Sequence, residues 1–276
     1  MTTTLAVLGS PIGHSQSPLL HAAAYRELGL DWQYSGIEIT GETLADFVTT
    51  RDETWRGLSL TMPLKRDVLP LLDEIDSVAT ITGAANTVLY SDGRRLGFNT
   101  DVYGIVRAFS DAGIDHLETV QILGGGATAA SVIVAMRELG ARRITVSVRS
   151  VERSADLVDL GAAGGVEIVV RELGVQDRSL IVPDAVVSTL PGHAEHGLKF
   201  PGAVRESAVL FDVAYDPWPS TLATSWAEVG GTVISGVEML INQALAQVRI
   251  FVNGDAATPL DRESDVLAAM RAAVGA

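Results

Sequence analysis

The stretch TVQILGGGATAASVIVAM, residues 119–136, contains the pattern that decides the fold. An apolar run with strand character is followed by three glycines and then by an apolar run of helical length. Gly124, Gly126 and Ala129 have the spacing GxGxxA, which lets backbone N–H groups and a helix N-terminus approach a pyrophosphate. The pattern predicts a dinucleotide site formed by Gly124, Gly125, Gly126, Ala127, Thr128 and Ala129. A purely structural turn is the alternative when such a match stands alone.

Short segments rich in valine and isoleucine continue after this stretch, as RITVSV, VEIVV, AVVSTL, AVLFDVAY and GTVISG. Such segments are typical of strands that are covered on both faces. Their alternation with helical segments predicts an α/β fold with a doubly wound, Rossmann-type domain over residues 104–236. Two helical segments follow, with no further strand after them. We expect them to pack back on the first domain.

Residues 1–103, joined by residues 237–276, are predicted to form a second, mixed α/β domain. Strand and helix patterns alternate often enough to favour a largely parallel sheet. Asp92-Gly93 is expected to be the turn of a hairpin. Ser17 is expected to cap a helix that starts near Pro18, and residues 63–76 are expected to contain a helix limited by Pro70.

Composition restricts the kinds of partner. The chain of 276 residues has 34 acidic and 20 basic residues, a net charge of −14, which disfavours binding to nucleic acid or an anionic membrane. It has no cysteine, which excludes disulfides, thiol nucleophiles and cysteine-ligated metals. No apolar run approaches the roughly 18 residues of a membrane span, and residues 1–9 have no basic region, so we expect a protein that is not exported. The histidines, including His193 and His196, form no metal-binding helix motif. We therefore expect a cytoplasmic protein without a metal.

The end of the segment RITVSV indicates which dinucleotide binds. NAD enzymes usually place an acidic residue there for the ribose 2′-hydroxyl, but this chain has Arg149 and Ser150. An arginine can pair with a 2′-phosphate by charge-assisted hydrogen bonds, and Arg153 lies one turn further on. The pattern predicts NADP, and a solvated basic strand end is the alternative.

Lys65 and Asp101 are candidates for proton transfer. Lys65 follows the carboxyl end of a predicted strand, and Asp101 follows the hairpin, where it is expected near the cleft between the domains. A nearby carboxylate favours the ammonium form of a lysine, whereas burial disfavours it, and the sequence leaves open which effect is larger. The alternative for Lys65 is a solvent-exposed side chain at a strand end.

Several ordered segments resemble the shikimate dehydrogenase family from one end of the chain to the other. They are GSPIGHSQSPLLH, SLTMPLK, GAANTVLY, GFNTDVYGI, GGGATAAS, FDVAYDP and GVEMLINQA. The resemblance implies reversible hydride transfer between NADPH and 3-dehydroshikimate, giving shikimate, in the biosynthesis of aromatic amino acids. The implied partners are small-molecule substrates, and the chain is expected to be a monomer or a homodimer.

The resemblance also implies roles for single residues. Lys65 and Asp101 match the catalytic pair. Ser15 and Ser17 match the paired serines for the substrate carboxylate, and Tyr215 matches a tyrosine near that carboxylate. The other positions implied for the substrate are Ser59, Thr61, Asn86 and Gln243, and those implied for the cofactor are Val213, Gly236 and Met239.

Two of the departures from the family pattern bear on binding. The family often has asparagine where this chain has Ser59, so we expect altered contacts with a ring hydroxyl. It often has asparagine before the cofactor arginine, where this chain has Val148, which puts the strength of adenosine binding in doubt. Three alternatives stay open: a quinate/shikimate dehydrogenase using NAD, an enzyme for an amino-substituted shikimate, and a non-catalytic NADP-sensing module.

Overall fold

The computed structural model describes residues 2–174, 181–192 and 197–276. The chain divides into two compact units. Unit 1 comprises Met1–Gly104 and Leu240–Ala276, and unit 2 comprises Ile105–Met239. Each unit contains one six-stranded sheet.

Strands and helices alternate along most of the chain. The strands are β1 Thr3–Gly9, β2 Trp32–Glu38, β3 Trp55–Leu60, β4 Glu74–Ile75, β5 Thr87–Ser91, β6 Arg94–Phe98, β7 Thr119–Leu123, β8 Arg143–Val148, β9 Glu167–Glu172, β10 Ala185–Ser188, β11 Val209–Asp212 and β12 Val233–Ser235. The helices are α1 Ser17–Glu27, α2 Gly41–Thr49, α3 Ser77–Thr82, α4 Asp101–Asp111, α5 Ala127–Glu138, α6 Asp156–Ala163, α7 Gly202–Ser207, α8 Thr221–Ala227, α9 Gly236–Asn253 and α10 Glu263–Val274.

The sheet of unit 1 has the order β2-β1-β3-β5-β6-β4 and is mixed. Strand β1 is parallel to β2 and β3, and β4 is parallel to β6, whereas β5 is antiparallel to both β3 and β6. The predicted hairpin is confirmed: Asp92 and Gly93 join β5 to β6 with φ values of 51° and 73°. Positive φ at both turn residues matches the twist of the strands. Helix α2 buries Leu44 and Val48 against this sheet.

Two local predictions in unit 1 are wrong. Residues 63–76 contain no α-helix: they form a short 3₁₀ turn at Leu69–Leu71 and then strand β4. The Lys65 carbonyl, which a helix would use internally, accepts a hydrogen bond from the Ala85 N–H at 2.8 Å, and Pro70 has no N–H to donate. Ser17 is the first residue of α1 and not its cap, because the cap position is Gln16, which makes no side-chain capping bond.

The sheet of unit 2 has the order β12-β11-β10-β7-β8-β9, and every pairing in it is parallel. Numbered within the unit, this order is 3-2-1-4-5-6 read from β9, the order of a doubly wound dinucleotide-binding fold. All four residues of β10 are buried, as expected for a strand covered on both faces. The predicted α/β fold is therefore confirmed. The turn between β7 and α5 lies at the point where the strand order reverses.

Candidate active site

Lys65 and Asp101 form an ion pair within unit 1. Lys65 Nζ lies 2.6 Å from Asp101 Oδ2, and the side chains are 12% and 3% exposed. Lys65 follows β3 after a turn, and Asp101 is the first residue of α4. A short, largely buried bond between two charged groups is among the stronger hydrogen bonds in proteins. The structure therefore gives the lysine a fixed position with its ammonium group oriented by a carboxylate.

Asn86 contacts the same carboxylate from the opposite side. Its Nδ2 donates to Asp101 Oδ1 at 2.8 Å and to Thr100 Oγ1 at 2.9 Å. Its Oδ1 accepts from the Thr100 N–H and from the Thr87 hydroxyl, each at 2.9 Å. An ionised carboxylate only accepts hydrogen bonds, so the amide nitrogen of Asn86 must face Asp101. This arrangement fixes the orientation of the amide.

The turn from β6 into α4 is held by Asn99, which the sequence reading did not single out. Asn99 Oδ1 accepts from the Asp101 N–H at 2.9 Å, and Nδ2 donates to Thr82 Oγ1 and to the Ala84 carbonyl, each at 2.9 Å. An asparagine two residues before the first residue of a helix is a signal for such a backbone-binding turn. Its effect is to place the carboxylate that pairs with Lys65.

Helix α9 contributes Gln243 to this group. Gln243 Oε1 lies 3.3 Å from Asn86 Nδ2 and 3.4 Å from Thr100 Oγ1, and Gln243 Nε2 donates to the Leu240 carbonyl at 2.9 Å. Unit 1 therefore brings together four predicted site residues that are far apart in sequence, namely Lys65, Asn86, Asp101 and Gln243.

Three other predicted substrate residues lie elsewhere in unit 1. Thr61 directly follows β3, and its N–H donates to the Leu8 carbonyl at 2.9 Å. Ser15 Oγ accepts from the Ser17 N–H at 3.4 Å, so the two serines are joined to each other. No side-chain hydrogen bond joins Thr61, Ser15 or Ser17 to the Lys65–Asp101 pair within the described ranges of the chain.

Ser59 is buried, with 3% of its surface exposed, and its hydroxyl is hydrogen-bonded within the protein. It donates to Gln247 Oε1 at 2.9 Å and accepts from the Tyr34 hydroxyl at 2.7 Å. The predicted contact of Ser59 with a substrate hydroxyl stays a prediction. Gln247 was not predicted as a site residue, although its spacing of four residues from Gln243 places both on one face of a helix.

In unit 2, a cavity of about 420 Å³ lies beside the turn between β7 and α5. It is lined by Gly125, Gly126, Val148, Arg149, Ser150, Arg153 and Ser154. No side chain caps the N-terminus of α5, so the N–H groups at Ala127 and Thr128 are available to an anion. Gly124 has a φ of 104°, and a side chain there would collide with Thr189. These features fit the phosphates of a dinucleotide.

Arg149 and Arg153 are exposed at this cavity and form no ion pair with any other described residue. Ser150 Oγ donates to Glu152 Oε2 at 3.0 Å, and hydrogen bonds from the Glu152 backbone and from Ser150 lower the pKa of Glu152. Two guanidinium groups beside one carboxylate leave the loop positively charged. This charge balance fits a phosphate on the ribose.

Val213, Tyr215, Gly236 and Met239 also belong to unit 2. A side chain at Gly236 would collide with the Val213 carbonyl, so the end of β11 and the start of α9 approach closely only because residue 236 is glycine. Met239 is buried. Tyr215 is half-buried in the loop after β11, and burial and the nearby charge of Asp216 raise the pKa of its hydroxyl.

Residues 2–174, 181–192 and 197–276 show neither a metal-binding cluster nor a membrane-spanning helix. These ranges contain no group of three or more His, Cys, Asp or Glu side chains that could hold a metal ion. They contain no helix that is long and apolar enough to cross a membrane. His193 and His196, for which the sequence predicts no metal-binding motif, lie outside the described residues.

This chain is similar to known proteins over most of its length. Residues 7–88 match the family described as shikimate dehydrogenase substrate binding domain. The shikimate dehydrogenase (NADP(+)) of Methanothermobacter thermautotrophicus is 31% identical over 275 residues, which is 96% of each chain. This chain belongs to the shikimate dehydrogenase family. The shikimate dehydrogenase (NADP(+)) of Halothermothrix orenii is similar as well, at 33% identity over 88% of each chain.

Solved structures of shikimate dehydrogenases have the same fold. The Mycobacterium tuberculosis shikimate dehydrogenase superposes with a TM-score of 0.84 at 36% identity, over 98% of this chain and 99% of that one. A Thermus thermophilus shikimate dehydrogenase, solved in complex with NADP(H) and shikimate, superposes with a TM-score of 0.82 at 28% identity, over 99% of this chain and all of that one. The resemblance found in the sequence is therefore confirmed at the level of the family and its fold.

Proposed function

We propose that this chain is an NADP-dependent shikimate dehydrogenase, which catalyses the reversible reduction of 3-dehydroshikimate to shikimate. The observation that carries the proposal is the buried Lys65–Asp101 pair, joined to Asn86 and Gln243 in a chain of this family. Its place is the pathway to the aromatic amino acids. We further propose a cytoplasmic location, a monomeric or homodimeric state and no nucleic-acid partner.

Lys65 is the proton donor for reduction. NADPH, when bound, supplies the hydride that goes to the ketone carbon, and negative charge then develops on the ketone oxygen. The ammonium group of Lys65 can donate a proton to that oxygen, because 12% of its side chain remains exposed while its ion pair with Asp101 fixes its position. In the oxidation of shikimate the same nitrogen, now neutral, accepts the hydroxyl proton.

The substrate is held by uncharged side chains around this pair. Ser15 and Ser17 bind its carboxylate through hydroxyl groups, which places no second cation beside Lys65. Thr61, Asn86 and Gln243 bind ring hydroxyls. Gln243 Nε2 has one hydrogen left for this role, because among the described residues it donates only to the Leu240 carbonyl. Tyr215 is assigned to the carboxylate, and Ser59 either contacts a ring hydroxyl or acts through its neighbours.

The cofactor is held by unit 2. Residues 124–129 bind the pyrophosphate at the N-terminus of α5. Arg149, Ser150 and Arg153 surround the cavity that fits the 2′-phosphate, where a forked guanidinium gives charge-assisted hydrogen bonds. Val213, Gly236 and Met239 are assigned to the nicotinamide.

The test is an initial-rate assay of the purified protein with shikimate or quinate, each with NADP or NAD. Turnover confined to shikimate with NADP is the expected result. A preference for quinate with NAD would keep the fold but overturn both the substrate and the cofactor. Absence of turnover in all four mixtures would contradict the proposed reaction.

A further inference from the structure

Gln247 lies behind the site, one helical turn after Gln243 on α9, and is 1% exposed. Its Oε1 accepts from Ser59 Oγ at 2.9 Å and lies 3.2 Å from His21 Nε2. Its Nε2 donates to the Asn86 carbonyl at 3.1 Å and to Thr87 Oγ1 at 3.0 Å. A carboxamide has two donor and two acceptor positions, so all four are used inside the protein. The side chain is therefore held in a single orientation.

The bonds made by Gln247 lead directly to the catalytic pair. Thr87 Oγ1 accepts a hydrogen bond from Gln247 Nε2, and the same hydroxyl donates a hydrogen bond to Asn86 Oδ1 at 2.9 Å. With that oxygen engaged, the amide nitrogen of Asn86 faces Asp101 Oδ1, and Asp101 Oδ2 holds Lys65. A continuous chain of hydrogen bonds thus runs from Gln247 through Thr87 and Asn86 to the carboxylate.

The groups that hold the acceptor end of Gln247 are neutral. Burial lowers the pKa of His21 to about 3, against the opposing effect of its hydrogen bond to Gln247. The neutral imidazole donates from Nε2 to Gln247 and accepts at Nδ1 from the Tyr25 hydroxyl at 3.0 Å. Its ring stacks on that of Tyr34 with centroids 3.9 Å apart, and Tyr34 donates to Ser59. A fully satisfied, uncharged network of this kind specifies a single arrangement of its members.

We propose that Gln247 is a positioning residue, which sets the amide of Asn86 through Thr87 and so fixes the Asp101–Lys65 pair for proton transfer. The inference rests on the proposed reaction and adds to it a residue that touches neither substrate nor cofactor. It also gives Ser59 and His21 a part in the reaction, since they hold the acceptor end of Gln247. A residue that merely fills the core would stabilise the fold without setting the rate.

The experiment compares two variants that cut the chain of bonds at different links. Gln247→Met keeps the length of the side chain but removes its four bonds, and Thr87→Val removes the hydroxyl that joins Gln247 to Asn86. Each is expected to lower kcat about 10-fold to 100-fold, because small displacements of catalytic groups have effects of that size, while KM for NADP stays unchanged. The double variant is expected to lose little more than either single variant, because both cut the same route. Thr87→Ser keeps the hydroxyl and is expected to restore most of kcat.

Val48→Ala is the control, because Val48 is buried in α2 and its side chain forms no hydrogen bond, so its truncation is expected to lower stability without removing a bond of the network. Melting temperatures of all variants separate lost stability from lost rate. Equal kcat in wild type and in folded Gln247→Met and Thr87→Val proteins would overturn the inference. The inference would also be overturned if the losses of kcat in the two single variants were additive in the double variant. Wild-type turnover with shikimate and NADP tests the proposed reaction separately, so the two ideas can fail independently.

Discussion

Asn86 and Asp101 are joined by a side-chain hydrogen bond of 2.8 Å, and this bond engages the carboxylate oxygen that Lys65 leaves free. Asp101 is thereby satisfied on both oxygens, and its backbone N–H is bound by Asn99. The carboxylate has little freedom to rotate away from the lysine. Lys65 is in turn tied through its carbonyl to Ala85, the residue before Asn86. Both members of the pair are positioned by one short segment of chain.

Replacement of Lys65 by alanine removes the proposed proton donor. We expect kcat with shikimate and NADP to fall by about 10² to 10⁴-fold, the usual contribution of general acid–base catalysis, with a much smaller change in KM. Steady-state rates measure both. The chain has two lysines, so Lys199→Ala, at an exposed position, is a matched control that should keep full activity. A large rise in KM at unchanged kcat would make Lys65 a binding residue.

Ser15→Ala removes a hydroxyl assigned to the substrate carboxylate. A hydrogen bond to a charged group contributes about 1.5 to 3 kcal/mol, so KM for shikimate should rise roughly 10-fold to 100-fold with kcat less affected. Ser35→Ala, at an exposed position of β2, is the comparison and should leave KM as it is. An unaltered KM in Ser15→Ala would remove Ser15 from the site.

Arg149→Ala tests the reading of cofactor preference. Loss of a charge-assisted bond should raise KM for NADP by about 10-fold or more and leave KM for NAD nearly unchanged. Arg143 begins the strand β8 that Arg149 follows, and it pairs with Glu167 at 3.0 Å with both side chains at least half exposed. Arg143→Ala should not alter either constant. Equal increases for NADP and NAD would show that Arg149 does not contact the 2′-phosphate.

Arg249 joins α9 to α10. It forms a two-pronged bond with Glu263, at 2.7 and 2.6 Å, donates to the Ala256 carbonyl, and lies 5.2 Å from the ring of Tyr103. Loss of one partner of a largely buried pair is costly, so Arg249→Ala should lower the free energy of unfolding by about 2 to 4 kcal/mol. The exposed pair Arg107–Asp111 is the contrast, and Arg107→Ala should cost about 0.5 kcal/mol or less. Urea denaturation of both variants makes the comparison.

His21 links stability to pH. Its pKa falls from an ordinary value of 6.5 to about 3 because it is buried, so between those values the unfolded chain binds the proton and the folded chain does not. The free energy of unfolding should therefore decrease as the pH falls through this window, by up to about 1.4 kcal/mol per pH unit. Urea denaturation between pH 7 and 5 should show a shallower decrease in His21→Gln than in wild type. His116→Gln, at an exposed position, should follow wild type.

The sheet of unit 2 could be predicted because its strands are short apolar runs. The turn between β7 and α5 also has the glycine spacing GxGxxA, which few other structures require. Helix α3 was not predicted, since four of its six residues are β-branched and its main signal is Asp76, whose side chain accepts from the Ala79 N–H at 2.6 Å. The helix predicted near Pro70 does not form, because the N–H of Ala85, distant in sequence, donates a hydrogen bond to the Lys65 carbonyl. Such competition between local and long-range hydrogen bonds cannot be predicted from the residues of a short segment alone.

In the candidate site, too, some residues could be predicted from the sequence and others could not. Lys65 and Asp101 could be proposed because each follows a strand end and carries a charge suited to proton transfer. Asn99 and Gln247 escaped notice, since their functions depend on bonds to Thr82, Ala84, Asn86 and Thr87. The polar residues of an otherwise apolar helix such as α9 are the signal that sequence reading can use for such cases.

The order of the two units along the chain has a consequence for synthesis on the ribosome. Unit 2 is continuous in sequence, so it can complete its sheet while the chain is still growing. Unit 1 is split, and the segment from Leu240 onward supplies Gln243 and Gln247. Asn86 therefore acquires these hydrogen-bonding partners only after all of unit 2 has been made. The nascent enzyme can have a finished nucleotide fold before it has a finished catalytic centre.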